Sequence, residues 1–285
     1  MPIDTHVHTI HSDGTESPAE VLRLAAGSGI DLVSITDHDR VKAYPEAIRL
    51  GRQHGVKVVP GVEITTKDEP GCTCIHIVGL GIDIVPEVSR VLDRSVIAQD
   101  RANLAFLDNV NDHLSSKFPS WQPVAGIKPS IFVNAMQTAK TCGIRMTEKD
   151  MMDIVLNHDL WVPVEFEITV NEAVAYIKKW GGVPVLAHPF DFSNDASLVL
   201  KRFLAAGGEG VELCKYRHKV RSSALSELSQ DGLLAKEREM NLWTAEQARK
   251  HGLKLTMASD HHDASRPMGM DPAEYGIDVG WLYNL

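Results

Sequence analysis

Cysteine is scarce. Cys72, Cys74, Cys142 and Cys214 are the four cysteines among 285 residues, too few and too scattered for a disulfide framework. Cys72 and Cys74 are separated by a single residue, too close for a typical zinc knuckle. Long apolar runs are also missing. No window of about eighteen residues is both apolar and uncharged, so no membrane-spanning helix is expected. The opening residues hold no basic segment followed by an apolar one, so no export signal is expected either. With the few cysteines, this makes a reduced, cytoplasmic protein the expectation. Basic residues are in deficit, 29 Lys and Arg against 38 Asp and Glu, for a net charge of -9. A non-specific nucleic-acid binder would carry a basic stripe, so no stable nucleic-acid partner is expected. A small phosphorylated substrate is compatible with an acidic chain, because bound metal ions invert the local field. Internal repeats and low-complexity tracts are absent, which excludes a solenoid.

What is present is histidine in particular places. The first fourteen residues, Met1 to Gly14, contain His6, His8, His11, Asp4 and Asp13 in a short apolar frame. On an extended strand His6 and His8 leave the same face, and two imidazoles converging from one strand are half a divalent-metal site. Asp13, on the loop that follows, can add a hard carboxylate oxygen.

Strands and helices alternate through the first third. Pro2–His8 reads as a strand and Ser17–Ala26 as a helix with Ser17 as its N-cap and Pro18 in its first turn. A strand at Asp31–Thr36, a helix at Val41–His54 and strands at Val56–Val62 and Cys74–Leu80 follow. From Pro86 to about residue 170 the rhythm stops. Val88–Leu114 is a long charged helix, Phe118–Pro129 a proline-rich loop, and Met136–Leu156 one or two more helices. The alternation resumes with a helix from Asn171, which caps it, to Trp180, and a strand at Val183–Ala187. A helix at Leu198–Ala206, a strand at Gly210–Leu213, a helix at Thr244–His251, a strand at Lys254–Ala258 and an apolar stretch at Ile277–Leu282 complete it. Short apolar strands joined by helices suggest parallel strands buried on both faces. The chain is read as an α/β barrel of about seven strands, residues 1–85 and 171–285, with 86–170 inserted as a mostly helical subdomain.

Metal-ligand chemistry stands at one strand after another. His6 and His8 come from the first, Asp37-His38-Asp39 from the second and Glu63 from the third. His76 lies on the fourth, His188 follows Val-Leu-Ala, and Asp260, His261, His262 and Asp263 follow the last. Singly each has an ordinary structural explanation: a core histidine, a turn histidine, a helix cap. Jointly these explanations would have to place such groups at the same end of six strands by chance. Imidazole mixed with carboxylate, without thiolate, suits zinc, iron or manganese in an open catalytic site.

The strings Asp-Thr-His-Val-His-Thr…Ser-Asp-Gly, Ile-Thr-Asp-His-Asp, Pro-Gly-Val-Glu, Leu-Ala-His-Pro and Ala-Ser-Asp-His-His closely resemble the PHP (polymerase and histidinol phosphatase) family. The resemblance runs from Asp4 to His262. It implies a distorted seven-stranded barrel with a centre of three divalent metal ions (manganese, iron or zinc). It further implies that His6, His8, Glu63 and Asp260 hold one ion and that Glu63 bridges to a second, completed by His76 and His188. Asp13, His38 and His262 would hold the third. Asp37 would orient a ligand histidine from behind. His11 and His261 are either surface residues or proton donors.

Metal ions that activate water and clamp phosphoryl oxygens hydrolyse phosphoesters, and the leaving alkoxide needs a nearby acid, for which His218 is a candidate. The inserted segment resembles that of the subgroup containing nucleoside 3',5'-bisphosphate phosphatases and a trimming exoribonuclease. In that subgroup a stretch like Arg-Pro-His-Phe-Ala-Arg precedes a helix. Here the matching stretch is Ile127-Lys128-Pro129-Ser130-Ile131-Phe132, where a lysine cannot form the bidentate fork of a guanidinium. Arg101, Lys128, Lys215, Arg217 and His218 are the residues expected to face the substrate. The expected reaction releases inorganic phosphate from a small nucleotide-like monoester, for example leaving AMP from adenosine 3',5'-bisphosphate. Histidinol phosphatase and cyclic phosphodiesterase are the alternatives within the family. A non-catalytic metal-stabilised module is the alternative of another class. Hydrolysis of C–N bonds on a His-x-His barrel would want a bridging lysine at a strand end, and none is there.

Overall fold

The first strand, β1 (Ile3–Val7), has every residue buried and pairs in parallel with β2 (Leu32–Ile35), which pairs in parallel with β3 (Lys57–Val58). The computed structural model describes every residue except 125, 128–130, 192–194 and 219–227, and within helices it leaves out the side chains at 132, 133, 148 and 155. Between β1 and β2 runs α1 (Pro18–Gly27). Ser17 caps it in a reciprocal box with Glu20, and Pro18 takes the first helical position, where an N–H would have no helical acceptor. The next helix, α2, is Glu46–His54 rather than starting at Val41. Pro45 sets the boundary by excluding helical geometry from the residue before it. Pro60 likewise divides the stretch expected as one strand into β3 and β4 (Gly61–Thr65), since proline cannot donate to a ladder.

The second sheet orders β4, β5 (His76–Leu80), β6 (Val183–Leu186), β7 (Gly210–Cys214) and β8 (Lys254–Ala258). The last three run parallel, but β5 is antiparallel to both β4 and β6, which corrects the all-parallel expectation. A ten-residue connection joins β4 to β5 without a crossover helix, so the two strands can pair only by reversing direction. Among the described residues the strands form a three-stranded and a five-stranded sheet. Isolated bridges link the two sheets at His38 with Glu63, and tie Val7 to His261 just beyond β8. The architecture is α/β. Ile3, Leu32, Val78, Val185, Leu213 and Met257, from six strands, pack into one apolar cluster.

The strand-rich unit comprises Met1–Asp93 and Ile168–Leu285, and a second compact unit comprises Arg94–Glu167. The long helix α3 (Pro86–Lys117) leads into the second unit, which continues with α4 (Ile131–Thr141) and α5 (Glu148–Val155). Its core includes Phe106, Val110, Leu114, Trp121 and Met151. Buried Asn111 stitches the loop to α3 by accepting from Trp121 Nε1 (3.2 Å) and Val124 N (2.8 Å).

In the strand-rich unit α6 (Val170–Lys179) is capped by Thr169, not Asn171, with Glu172 closing the box; such a cap is worth about 1 kcal/mol. α7 (Ala196–Ala205) is capped by Asp195. α8 (Gln230–His251) is far longer than the helix expected from Thr244. The apolar stretch at Ile277–Leu282 runs into a 3-10 turn, Gly280–Asn284. No helix among the described residues is long and apolar enough to cross a membrane.

Candidate metal centre

Successive side chains of β1 alternate, so Asp4, His6 and His8 share a face, and all three are fully buried. Asp4 is engaged by the chain beyond β8, accepting from Ser259 N (3.1 Å), Ser259 Oγ (2.5 Å) and Gly269 N (2.8 Å). After His8 the chain turns tightly, with Ser12 N and Gly14 N both donating to Thr9 O at 3.0 Å. A Cβ at Gly14 would lie 2.6 Å from the His8 carbonyl, so only glycine lets the loop close. That closure brings Asp13 within 3.3 Å of His8 Nδ1 and 3.1 Å of His262 Nε2.

Glu63, on β4, is the centre of the cluster and has no exposed surface. Its Oε1 lies 3.0 Å from His76 Nδ1 and 3.0 Å from His188 Nε2. Its Oε2 lies 3.1 Å from His6 Nε2, 3.2 Å from His8 Nε2 and 3.1 Å from His38 Nδ1. Asp260 Oδ1 closes on the same side, 3.2 Å from His8 Nε2 and 3.5 Å from His6 Nε2. All nine residues expected as ligands are therefore brought together. Four overlapping groups of them could each hold an ion: His8, Asp13, His38 and His262; His6, His188 and Asp260; His6, His8 and Glu63; and His38, Glu63 and His76.

The cluster fits divalent cations. Glu63 Oε2 is buried among three imidazole nitrogens, yet none is aligned to give it a hydrogen bond. His6 Nε2 and His8 Nε2 face one another at 3.0 Å, sharing at most one proton. Nitrogen and oxygen lone pairs directed at common points are what a cation requires. Burial works against the Glu63 carboxylate, but His38, His6 and His76 overcome it and hold Glu63 well below the usual range. Burial alone would depress His8, but the neighbouring carboxylates of Asp260 and Glu63 raise it to about 9. Burial dominates at His38 and pushes it down to about 3. Backbone strain concentrates here too. Asp39, His188 and Asp260 are non-glycine residues in the left-handed region, with φ of 50°, 22° and 52°, each costing on the order of 1–3 kcal/mol.

Other expected site residues do different work. Asp37 does not touch a cluster histidine through any bond described; it accepts from Thr9 N (2.7 Å), Thr9 Oγ1 (2.8 Å) and Ser12 Oγ (2.8 Å). It holds the loop that presents Asp13. Asp37→Ala strands the two donors of buried Thr9, and since leaving a buried donor unsatisfied costs about 1–3 kcal/mol, we expect a loss of roughly 2–3 kcal/mol in denaturant unfolding together with weaker metal binding. Unchanged stability and metal content would remove Asp37 from this role.

Lys215 is largely buried and donates to Pro267 O (2.8 Å) and Met268 O (3.2 Å). Arg217 pairs with buried Glu237 at 2.6 Å. Both basic groups are thus engaged by protein. Arg217 Nε also donates to His218 Nε2 (3.3 Å), and burial, with Arg217 and Lys215 nearby, lowers the His218 pKa. Arg101 is exposed and lies 3.5 Å from Glu165. Lys128 lies outside the described residues. His261 is buried, not a surface residue, with Nδ1 2.6 Å from Arg266 O and Nε2 3.4 Å from Glu16. Asp263 accepts from Ser265 N, and half-buried His11 donates its N–H to Thr9 Oγ1.

Four residues not singled out for the site from sequence stand beside the expected ligands. Arg266 Nη1 donates to Asp260 Oδ2 (3.0 Å), and Asp191 lies 3.3 Å from His188 Nδ1. Thr65 Oγ1 is 3.1 Å from His38 Nδ1. Glu212, on β7, lies 3.1 Å from His6 Nδ1 and accepts from His188 N at 3.2 Å. A carboxylate inside the apolar run Gly210–Cys214 is the signal that could have exposed it.

An α/β fold enclosing such a cluster is that of a metal-dependent hydrolase, and the comparisons give its class. Residues 4–142 match the PHP domain. A 3',5'-nucleoside bisphosphate phosphatase of Chromobacterium violaceum is 26% identical over 306 aligned positions, 99% of this chain and 92% of that one. A 5'-3' exoribonuclease of Salmonella typhimurium is 30% identical over 211 positions, 71% of this chain and 70% of that one. In fold, a Bifidobacterium adolescentis protein described as a metal-dependent phosphoesterase superposes with a TM-score of 0.63 at 22% identity, covering 98% of both chains. The protein is a metal-dependent phosphoesterase. The chain belongs to the PHP family.

Proposed function

We propose that the protein removes phosphate from a small nucleotide-like monoester, a nucleoside 3',5'-bisphosphate being cleaved to the nucleoside 5'-monophosphate and inorganic phosphate. The observation that carries this reading is the divided carboxylate of Glu63, one oxygen turned to His76 and His188 and the other to His6, His8 and His38. In this reading the cluster would hold three divalent ions (manganese, iron or zinc). His6, His8, Glu63 and Asp260 would hold the first, Glu63 with His76 and His188 the second, and Asp13, His38 and His262 the third. When bound, such ions lower the pKa of water and neutralise phosphoryl oxygens.

The chain's own residues supply the arrangement. Arg266 holds the Asp260 carboxylate in place, Asp37 fixes the loop that carries Asp13, and the buried imidazoles exclude bulk water from the rear of the site. The family relative named for nucleoside bisphosphates aligns along almost the whole chain, which favours this substrate class over histidinol phosphate.

Selection of the second phosphate is assigned to the segment 86–170, through Lys128 and Arg101. Lys128→Ala should raise KM for a nucleoside bisphosphate about tenfold, the loss of one charge-assisted contact, and leave KM for an aryl phosphate unchanged. Equal effects on both would sink this assignment. The reading as a whole is tested by phosphate release at fixed manganese from adenosine 3',5'-bisphosphate, AMP, histidinol phosphate and a cyclic nucleotide. Preference for the bisphosphate supports it. Turnover only of the cyclic ester or of histidinol phosphate replaces the substrate, and silence with metal bound favours a non-catalytic module.

A further inference from the structure

His6 presents its two ring nitrogens to different surroundings. Nε2 faces the cluster, 3.1 Å from Glu63 Oε2, 3.0 Å from His8 Nε2 and 3.5 Å from Asp260 Oδ1. Nδ1 faces away from it, toward Glu212, with both carboxylate oxygens at 3.1 Å. Glu212 has no exposed surface. It sits in the middle of β7, where Val211 and Leu213 on either side are buried apolar residues. Nothing in the packing of that strand calls for a carboxylate. A buried carboxylate costs several kcal/mol unless it is paired and hydrogen-bonded, and the partners this one meets are two of the expected ligands. One is the His6 ring and the other is the backbone N–H of His188, donating to Oε2 at 3.2 Å. His188 itself holds a left-handed φ of 22°, an uncommon conformation for a histidine that must be maintained by its surroundings.

The geometry points to Glu212 as a positioning residue for metal binding. It accepts the Nδ1–H of His6, which leaves the Nε2 lone pair free for an ion, and it anchors the turn that presents His188. A neutral imidazole carries one ring proton, and the hydrogen bond at one nitrogen decides which nitrogen is left as the ligand. Glu212 thereby couples β1, β7 and the turn after β6 through a single side chain. This inference rests on the reading of His6 and His188 as ligands.

The test compares wild type with Glu212→Gln and Glu212→Ala, starting from protein stripped of metal. The glutamine substitution keeps the shape but leaves a neutral amide with one acceptor oxygen for two donors; the alanine substitution removes the acceptor. Zinc is titrated against a chromophoric chelator to read stoichiometry and affinity. The zinc-loaded proteins are then examined by proton–nitrogen NMR for the His6 Nδ1–H resonance. The expected result is one slowly exchanging downfield imidazole proton in wild type that moves upfield in the Glu212→Gln protein. It is accompanied by a 10- to 100-fold loss of affinity for one ion equivalent and a larger loss in the Glu212→Ala protein, far-UV circular dichroism being retained in the former. A purely structural role would leave the zinc affinity and the imidazole proton of the Glu212→Gln protein as in wild type, and that result overturns the inference while the metal reading stands. Failure of wild type itself to bind zinc overturns the ligand reading, and the inference with it. Should the Glu212→Ala protein not fold, the glutamine substitution decides alone.

Discussion

Glu63→Gln should abolish phosphate release, with kcat/KM down at least about 10³-fold, equivalent to about 4 kcal/mol of transition-state stabilisation. The substitution preserves size and shape, so β4 and its pairing with β5 have no steric reason to change. It removes the negative charge faced by five imidazoles and leaves one oxygen where there were two acceptors on different sides. An amide nitrogen is a donor and repels a cation, so one of the two neighbouring sites loses its shared oxygen outright. Metal content should fall in parallel. The control is far-UV circular dichroism, which should overlay wild type. Retained turnover in a well-folded Glu63→Gln protein would mean that Glu63 is not the shared ligand and that the cluster has another purpose.

Removing metal should also destabilise the protein by an amount that depends on the concentration of added ion. A ligand that binds only the native state stabilises it by about 2.7 kcal/mol at one hundred times its Kd. For a domain of some two hundred residues each kcal/mol shifts Tm by about 2–4 °C. Chelation should therefore lower Tm by at least about 5 °C, and manganese or zinc should restore it in a dose-dependent way. The expected ligands lie in the strand-rich unit, so the shift should belong to that unit; Phe106, Trp121 and the rest of the helical core need not respond. Identical melting with chelator and with metal would show that the cluster binds no ion tightly enough to matter.

The ligand types and most of their strands are legible in the sequence, because His6 with His8 on one face and acids or histidines beside successive apolar runs are local patterns. Strand direction is not. The apolar pattern puts His76 at the end of a strand like the others, yet it is the first residue of β5. It reaches the cluster because β5 runs against β4 and β6 and starts where they finish. Strand polarity depends on which neighbours pair, and apolar periodicity carries no sign of that. Helix limits fail where local signals compete, as at Asn171, where Thr169 has the better-placed glutamate three residues on. The basic residues mislead for a different reason. Lys215 and Arg217 look available in a one-dimensional string, but their partners, Pro267, Met268 and Glu237, are remote in sequence. Glu212 is silent in the string because its role appears only when its contact with His6 of β1 is seen.

The pairing of Val7 with His261, and the bond from Thr5 to Met257, 252 residues further on, place a constraint on biogenesis. His6 and His8 leave the ribosome long before the segment that shields them exists. Contacts this distant in sequence form late, after the entropy of closing a very long loop has been overcome. Until those 250-odd residues have been added, the nascent chain carries a bare His-x-His without the segment that later shields it. Asp260 and His262 join the cluster only with that late segment, so the groups that could hold an ion are complete only once it has closed on β1.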